Sequence, residues 1–170
     1  MATAPTPCPG WDVAALVDHV YSDVPRFTVA ARGERPDWSG PRTDQIGDDW
    51  AGDFRTAGAT LLETWRATDP TRTVPMPGGG EQPLVKLADQ QTAEFAIHAW
   101  DIARATDQSI ELDPAVGQRA LDFGRQNLRP EHRGDPGSAF AREVSVPEDA
   151  PIYDRVAAWF GRDPSWSPHP

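Results

Sequence analysis

Cysteine and lysine each occur once in the 170 residues, as Cys8 and Lys86. A single cysteine excludes an intrachain disulfide and a cysteine-cluster metal site. A catalytic Schiff-base lysine has one candidate only, and no Gly-Lys-Ser/Thr sequence is present, which excludes a Walker-type phosphate loop. Disulfide scaffolds and P-loop enzymes are therefore not the class of this protein.

Positive charge and long apolar runs are also scarce. Lysine and arginine total 16 against 26 acidic residues, which gives a formal net charge of −10 and an isoelectric point near 4.7. A field of that sign repels phosphate backbones and anionic lipids, so nucleic acid and membranes are poor partners. No apolar run reaches the length of a membrane span, and the N-terminus lacks the pattern of a secretory signal. We expect a soluble cytoplasmic protein with a small-molecule substrate.

The composition that remains is typical of one globular domain. Hydrophobic residues make up 38% of the chain and seven are tryptophan, which is enough apolar surface for a core at this length. We therefore expect a single domain over residues 1–170, with a helical bundle over about 11–130 and a C-terminal appendage over about 139–165.

Hydrophobic periodicity predicts four long helices. Asp12 and the Asp113–Pro114 pair have the residue types that cap helix N-termini, and Pro25 should kink the first helix or end its regular part. The predicted helices cover about residues 12–31, 48–67, 83–106 and 113–128. This pattern is typical of a four-helix bundle in the all-α class.

The segments outside these helices carry weaker signals. Residues 33–47 and 129–138 have loop composition, and 71–82 could hold a short hairpin around three glycines. Residues 140–146 alternate like a strand, and 148–160 resemble a short helix ended by Gly161. The appendage is therefore predicted to contain one strand and one helix.

The third helix carries a row of metal-ligating residue types. Glu94, His98 and Asp101 are spaced i, i+4, i+7, so they lie along one side of the helix. Its apolar stripe is predicted on other positions: Leu84, Ala88, Phe95, Ala99 and Ile102. A carboxylate and an imidazole one turn apart can grip a divalent ion. The same spacing also occurs in ordinary Glu–His surface pairs, and the residues alone leave both interpretations open.

The other histidines carry less information. His132 and His169 are expected on the surface. His19 lies at the margin of the apolar face of the first helix, where a surface position is favoured and a ligand remains possible if the site opens at one side of the bundle. Asp23, one turn later, either orients His19 or is a solvated charge, and the solvated charge is favoured. Cys8 is expected to be inert.

Three motifs occur in order along the chain: TPCPGWDVAALVDHV, AEFAIHAWDIARAT and VSVPEDAPIYDRVAAWFGRDP. Together they resemble the actinobacterial branch of the DinB-like superfamily, which includes the mycothiol-dependent maleylpyruvate isomerase N-terminal domain. The resemblance covers essentially the whole chain.

The resemblance implies a DinB-like four-helix bundle that binds one divalent metal through His19, Glu94 and His98. Zinc is the usual ion, and nickel could replace it in a recombinant sample. Asp101 or Asp23 would orient a ligand imidazole or carry a proton.

Relatives in the superfamily use mycothiol, bacillithiol or glutathione as cosubstrate for isomerisation or S-transfer, so the expected function is activation of mycothiol toward an electrophilic small molecule. The alternatives are a thiol-independent metal hydrolase or lyase and a non-catalytic metal-binding bundle. A monomer and a homodimer are both compatible with the sequence.

Overall fold

The computed structural model describes residues 2–38, 49–76, 79–134 and 140–168. Within these residues the fold is mainly helical, as predicted, with one two-stranded sheet. The elements are α1 (Val13–Ala31), α2 (Trp50–Ala67), β1 (Thr73–Pro75), β2 (Glu81–Pro83), α3 (Leu84–Ala105), α4 (Pro114–Asn127), a 3-10 turn (Pro130–His132) and α5 (Ile152–Trp159).

The predicted helix caps are confirmed. The backbone N–H of Ala15 donates to Asp12 Oδ1 at 2.9 Å, and that of Ala115 donates to Asp113 Oδ1 at 2.8 Å. Each bond satisfies one of the backbone donors that a helix N-terminus leaves without an intrahelical partner. Helix α1 continues through Pro25 to Ala31, so the proline does not end it.

The connection between α2 and α3 contains the predicted hairpin. Strands β1 and β2 are antiparallel, with Val74 opposite Gln82, and the Thr73 hydroxyl donates to Glu81 Oε2 at 2.6 Å. Several of the predicted features lie outside the described residues. They are Gly78, much of the predicted 33–47 and 129–138 loops, the predicted helix start at Asp48, His169 and the side chain of His132.

The chain divides into two compact units. The first consists of Met1–Leu16 with Thr92–Pro170, and the second of Val17–Gln91. In the second unit, Trp65 Nε1 donates to Gln91 Oε1 at 2.7 Å, which links α2 to α3. Its core contains Ala30, Val74, Leu84 and Leu87, with Trp65 and Met76 packed against them.

The core of the first unit is formed by α3, α4 and α5. Its buried residues are Ala93, Ala96, Ile97, Trp100, Ala120, Leu121, Tyr153, Val156, Ala157 and Phe160. Two glycines allow α4 to approach α5. A Cβ at Gly117 would lie 2.9 Å from Tyr153 Cε2, and one at Gly124 would lie 2.8 Å from Trp159 Cδ1. Both distances are too short for a side chain, so the contact requires glycine at these positions.

The apolar stripe predicted for α3 is wrong over the part in the first unit. Ala93, Ile97 and Trp100 are buried there, whereas Ala99 and Ile102 are only half-buried. His98 and Asp101 are buried as well. Helix α3 thus buries more than one of its sides, and a single stripe cannot describe it.

The predicted C-terminal strand is also wrong. Residues 140–146 are described and form no strand. The backbone N–H of Val144 instead donates to Ala158 O at 2.9 Å, so the segment packs against α5, and no strand among the described residues pairs with it. Helix α5 begins at Ile152 rather than near 148, because Ala150 N–H bonds to Pro147 O at 3.1 Å in a turn before the helix.

The end of α5 at Gly161 is confirmed. Gly161 has a φ of 83°, in the left-handed region that glycine enters without strain. Its N–H donates to Ala158 O at 3.1 Å, and the N–H of Arg162 donates to Ala157 O at 2.8 Å. These two bonds are the Schellman pattern, which ends a helix and fixes the direction of the residue after it.

Among the helices of the described residues, none combines the length and the apolar character that a bilayer crossing needs.

Candidate metal centre

The predicted row on α3 is present in the first unit, and its central member is buried. His98 is 5% exposed. Its Nε2 lies 3.5 Å from Glu94 Oε2, and its Nδ1 lies 3.0 Å from Asp101 Oδ2. Spacings of four and three residues place both carboxylates on the side of the helix that holds the imidazole. The row is therefore a chain of contacts rather than a set of separate surface charges.

Asp101 has a partner distant in sequence. The carboxylate is fully buried, and Arg162 donates to it twice, from Nη2 to Oδ2 at 3.0 Å and from Nε to Oδ1 at 3.3 Å. Arg162 is 5% exposed and also donates from Nη1 to Phe160 O at 2.9 Å. A charge buried this deeply is stable only with a partner of opposite sign and with its hydrogen bonds made. Each of the two residues meets that need for the other.

The N-terminal segment covers one face of the His98 ring. The Trp11 ring is stacked on the His98 ring with centroids 6.0 Å apart and planes at 21°. The Thr6 hydroxyl donates to Trp11 O at 2.9 Å, which holds the segment in place. Cys8 Sγ accepts from Arg162 Nη2 at 3.5 Å. The segment thus closes over the buried histidine.

The pKa of His98 is shifted upward by these contacts. Burial alone lowers the pKa of an imidazole, because it disfavours the charged form. Hydrogen bonds that the ring donates to the carboxylates of Asp101 and Glu94, together with the negative charges of these groups, act in the opposite direction and outweigh burial, so the pKa of His98 lies above its ordinary value of 6.5. The surroundings of His98 therefore favour positive charge at this position, which a proton or a metal ion can supply.

His19 belongs to α1 in the second unit. Its Nε2 lies 3.6 Å from Asp23 Oδ2, and Asp23 Oδ1 accepts from Arg26 Nη1 at 3.0 Å. The side chain of His19 is 17% exposed, which agrees with the predicted margin of the apolar face. Asp23 is buried, so its interpretation as a solvated charge is wrong. It is a partner of His19 and Arg26.

Two residues of this site were not predicted from the sequence. Trp11 directly precedes the cap residue Asp12, and its contact with His98 spans 87 positions along the chain. Arg162 follows the helix-ending Gly161, which was the one local signal that its direction is fixed. A glycine C-cap predicts that the backbone direction of the next residue is fixed, but it does not predict which residue that side chain contacts. Only the packed structure supplies the partner, Asp101.

The family described as mycothiol maleylpyruvate isomerase N-terminal domain matches residues 2–103. Uncharacterized proteins from two strains of Mycobacterium tuberculosis, CDC 1551 / Oshkosh and ATCC 25618 / H37Rv, are each 32% identical over 161 residues. These alignments cover 93% of this chain and 83% of each relative. No solved structure matches the chain.

The family match extends over more than half of the sequence and includes His19, Glu94 and His98. Together with relatives that align over nearly the whole chain, it shows that the protein belongs to the mycothiol maleylpyruvate isomerase N-terminal domain family.

Proposed function

We propose that His19, Glu94 and His98 hold one divalent metal ion, with zinc the best fit, and that the protein uses it to activate mycothiol toward an electrophilic small molecule. One observation carries this proposal. Among the described residues, these three side chains each offer one ligand atom, and the atoms lie within 4.8 Å of one another.

The donor set suits the ion. Two imidazole nitrogens and one carboxylate oxygen form a ligand set of catalytic zinc enzymes, where the fourth position stays open for substrate. The His98 Nδ1 is engaged by Asp101 at 3.0 Å, while Nε2 faces Glu94. A ligating histidine commonly bonds a carboxylate through its other nitrogen in this way. An ion in this position would lower the pKa of a thiol or water that reaches it.

The protein's own residues have separate roles in this proposal. Glu94 and the two histidines bind the ion, and Asp101 keeps the His98 ring in one orientation through its bond to Nδ1. Trp11 covers one face of the same ring and limits the access of water from that side. In the transfer, the S–H bond of mycothiol breaks and its proton passes to solvent, while the sulfur forms a bond to the electrophilic carbon. The bond from that carbon to its leaving group breaks, and the leaving group departs with the electron pair, as chloride does from monochlorobimane.

The proposal includes the remaining expectations about the molecule. It takes the chain as a single domain in which α1 to α4 form a DinB-like four-helix bundle, present in the cytoplasm as a monomer or homodimer. The net charge of −10 supports a small-molecule substrate over nucleic acid or an anionic membrane. The family match supports mycothiol as the thiol.

The decisive experiment combines metal analysis with a thiol-transfer assay. Protein reconstituted with zinc is mixed with mycothiol and monochlorobimane, and the fluorescent adduct is followed over time. We expect one bound ion per chain and turnover that requires both the metal and mycothiol. Glu94→Gln should lose both properties. Glu131→Gln, which alters an exposed carboxylate that pairs with Arg129, should keep them.

Other results would redirect the assignment. Metal-dependent turnover of an ester or amide without thiol would indicate a hydrolase. Substoichiometric metal after reconstitution, or no thiol transfer with any of several electrophiles, would contradict the proposed activity.

A further inference from the structure

The carboxylate of Asp101 is shared between two side chains. Its Oδ2 lies 3.0 Å from His98 Nδ1 and accepts from Arg162 Nη2 at 3.0 Å, while its Oδ1 accepts from Arg162 Nε at 3.3 Å. All three residues are at most 5% exposed. The guanidinium therefore contacts both oxygens of the carboxylate in a fork, a geometry that restricts its rotation.

Two carboxylates compete for the hydrogen of a neutral His98 ring, and Asp101 is the closer: its Oδ2 lies 3.0 Å from Nδ1, whereas Glu94 Oε2 lies 3.5 Å from Nε2. A neutral imidazole has its hydrogen on one nitrogen and a lone pair on the other. An ionised carboxylate can only accept, so the carboxylate held closer, at Nδ1, favours the hydrogen there and the lone pair on Nε2. Nε2 is the nitrogen that faces Glu94. Whatever holds Asp101 in place thus holds His98 in its metal-binding form.

We propose that Arg162 is a positioning residue of the metal centre, which acts through Asp101 to keep His98 as the Nδ1–H tautomer. Its effect on metal affinity rests on the proposed function, whereas its effect on the tautomer concerns the metal-free protein as well. Arg162 touches neither the ion nor the substrate in this proposal.

A second buried arginine in the same unit provides the matched control. Arg133 is also 5% exposed and donates to Trp159 O at 2.6 Å and Leu128 O at 2.8 Å. Its guanidinium lies over the Trp159 ring at 4.5 Å. These contacts join α5 to the end of α4 and involve neither His98 nor Asp101. Substitution of Arg133 should therefore lower the stability of the fold, as substitution of a buried arginine generally does, without a direct effect on His98.

The test compares Arg162→Lys with Arg133→Lys in the full chain. Lysine keeps the charge but cannot form the fork. The tautomer of His98 is measured by ¹⁵N NMR in metal-free protein, at a pH where the ring is neutral, and zinc affinity is measured by competition with a chromophoric chelator. For Arg162→Lys we expect a mixture of tautomers and a loss of about tenfold in zinc affinity, the scale of partners that support metal ligands. For Arg133→Lys we expect neither change.

Each outcome is decisive. A folded Arg162→Lys protein with an unchanged tautomer and unchanged zinc affinity would overturn the proposal. If Arg162→Lys does not fold, Arg162→Gln is measured in the same way, and an Nε2–H tautomer in the wild-type protein overturns the proposal without any variant. If wild-type protein binds no zinc, the proposed function fails, but the tautomer measurements still test the role of Arg162.

Discussion

Two triads of contacting side chains, each a histidine, an aspartate and an arginine, are supported in opposite ways; we call them the α1 triad and the tertiary triad. On α1, His19, Asp23 and Arg26 follow one another at helical spacing, and their side chains are 8–17% exposed. In the first unit, His98 and Asp101 lie on α3, but the arginine comes from residue 162, 61 positions later, and the Asp101 carboxylate is fully buried.

The difference separates local from tertiary support. The contacts given above for the α1 triad lie within one helix, so their geometry follows from residue spacing. The Asp101–Arg162 contact forms only when the C-terminal segment packs in place, so its strength depends on the whole unit. A pair in which both members are buried is costly to break, whereas the Asp23–Arg26 pair has one partly exposed member, Arg26, and should cost less. The two aspartates should therefore respond very differently to the same substitution.

The largest expected effect is that of breaking the tertiary triad of His98, Asp101 and Arg162. Asp101→Asn removes the counter-charge of buried Arg162 and should lower the free energy of unfolding by about 3–5 kcal/mol, the cost of leaving one charge of a buried pair alone. Asp23→Asn should cost about 1 kcal/mol, the scale of one hydrogen bond. Urea denaturation of the metal-free proteins measures both. Equal losses would mean that the two triads contribute equally to the free energy of unfolding and that burial does not distinguish them.

Metal binding should make the two histidines equivalent despite their different support. Free zinc at a hundred times the dissociation constant should stabilise the wild-type protein by about 2.7 kcal/mol, seen as a rise in melting temperature that a chelator reverses. His19→Gln and His98→Gln should each remove this rise. If only His98→Gln removes it, His19 is not a ligand.

The comparison of units extends to their helical glycines. Gly124→Ala in α4 places a methyl group 2.8 Å from Trp159 Cδ1, and overpacking of this kind should destabilise the protein by about 1–3 kcal/mol. At Gly58 in α2, an added methyl group would have no neighbouring atom within 4 Å among the described residues. Gly58→Ala should therefore stabilise the protein by about 0.5–1 kcal/mol, because alanine loses less entropy in a helix. Thermal unfolding of both variants gives the signs, and a stabilised Gly124→Ala protein would contradict the close α4–α5 contact.

The last expected effect concerns pH. The raised pKa of His98 means that the folded, metal-free protein holds this proton more tightly than the unfolded chain. Its contribution to stability is complete below pH 6.5, the ordinary value, and is lost as the pH rises through the folded-state pKa. Zinc must displace the same proton, so zinc affinity should rise by up to about tenfold per pH unit until the pH passes the folded-state pKa, and should then level off. Titrations at several pH values check this, and in Asp101→Asn the affinity should level off at a lower pH.

The parts of the molecule that follow local rules were predictable from sequence. The caps at Asp12 and Asp113, the hairpin after α2 and the stop at Gly161 each depend on a few neighbouring residues, and each is present. The row of Glu94, His98 and Asp101 likewise follows from helical spacing alone.

The errors occur where packing overrides a local pattern. Alternation over 140–146 has the period of a strand, yet the segment packs against a helix and pairs with no strand in the part of the chain that the structure describes. Asp101 falls outside the predicted stripe of α3, but the stripe treats burial as one-sided, and α3 is buried on more than one side. The pairing with Arg162 depends on tertiary contacts, which no window of a few residues contains.

The long separation between Asp101 and its guanidinium has a practical consequence for anyone who would isolate the family domain. The match to the family ends at residue 103, after all three proposed ligands and Asp101 but well before Arg162. A fragment cut at that boundary would keep the Asp101 carboxylate and lose the Arg162 guanidinium that neutralises it. His98 would then lie beside an uncompensated negative charge. Failure of such a fragment to fold or to take up zinc would report on the missing tail rather than on the ligands themselves.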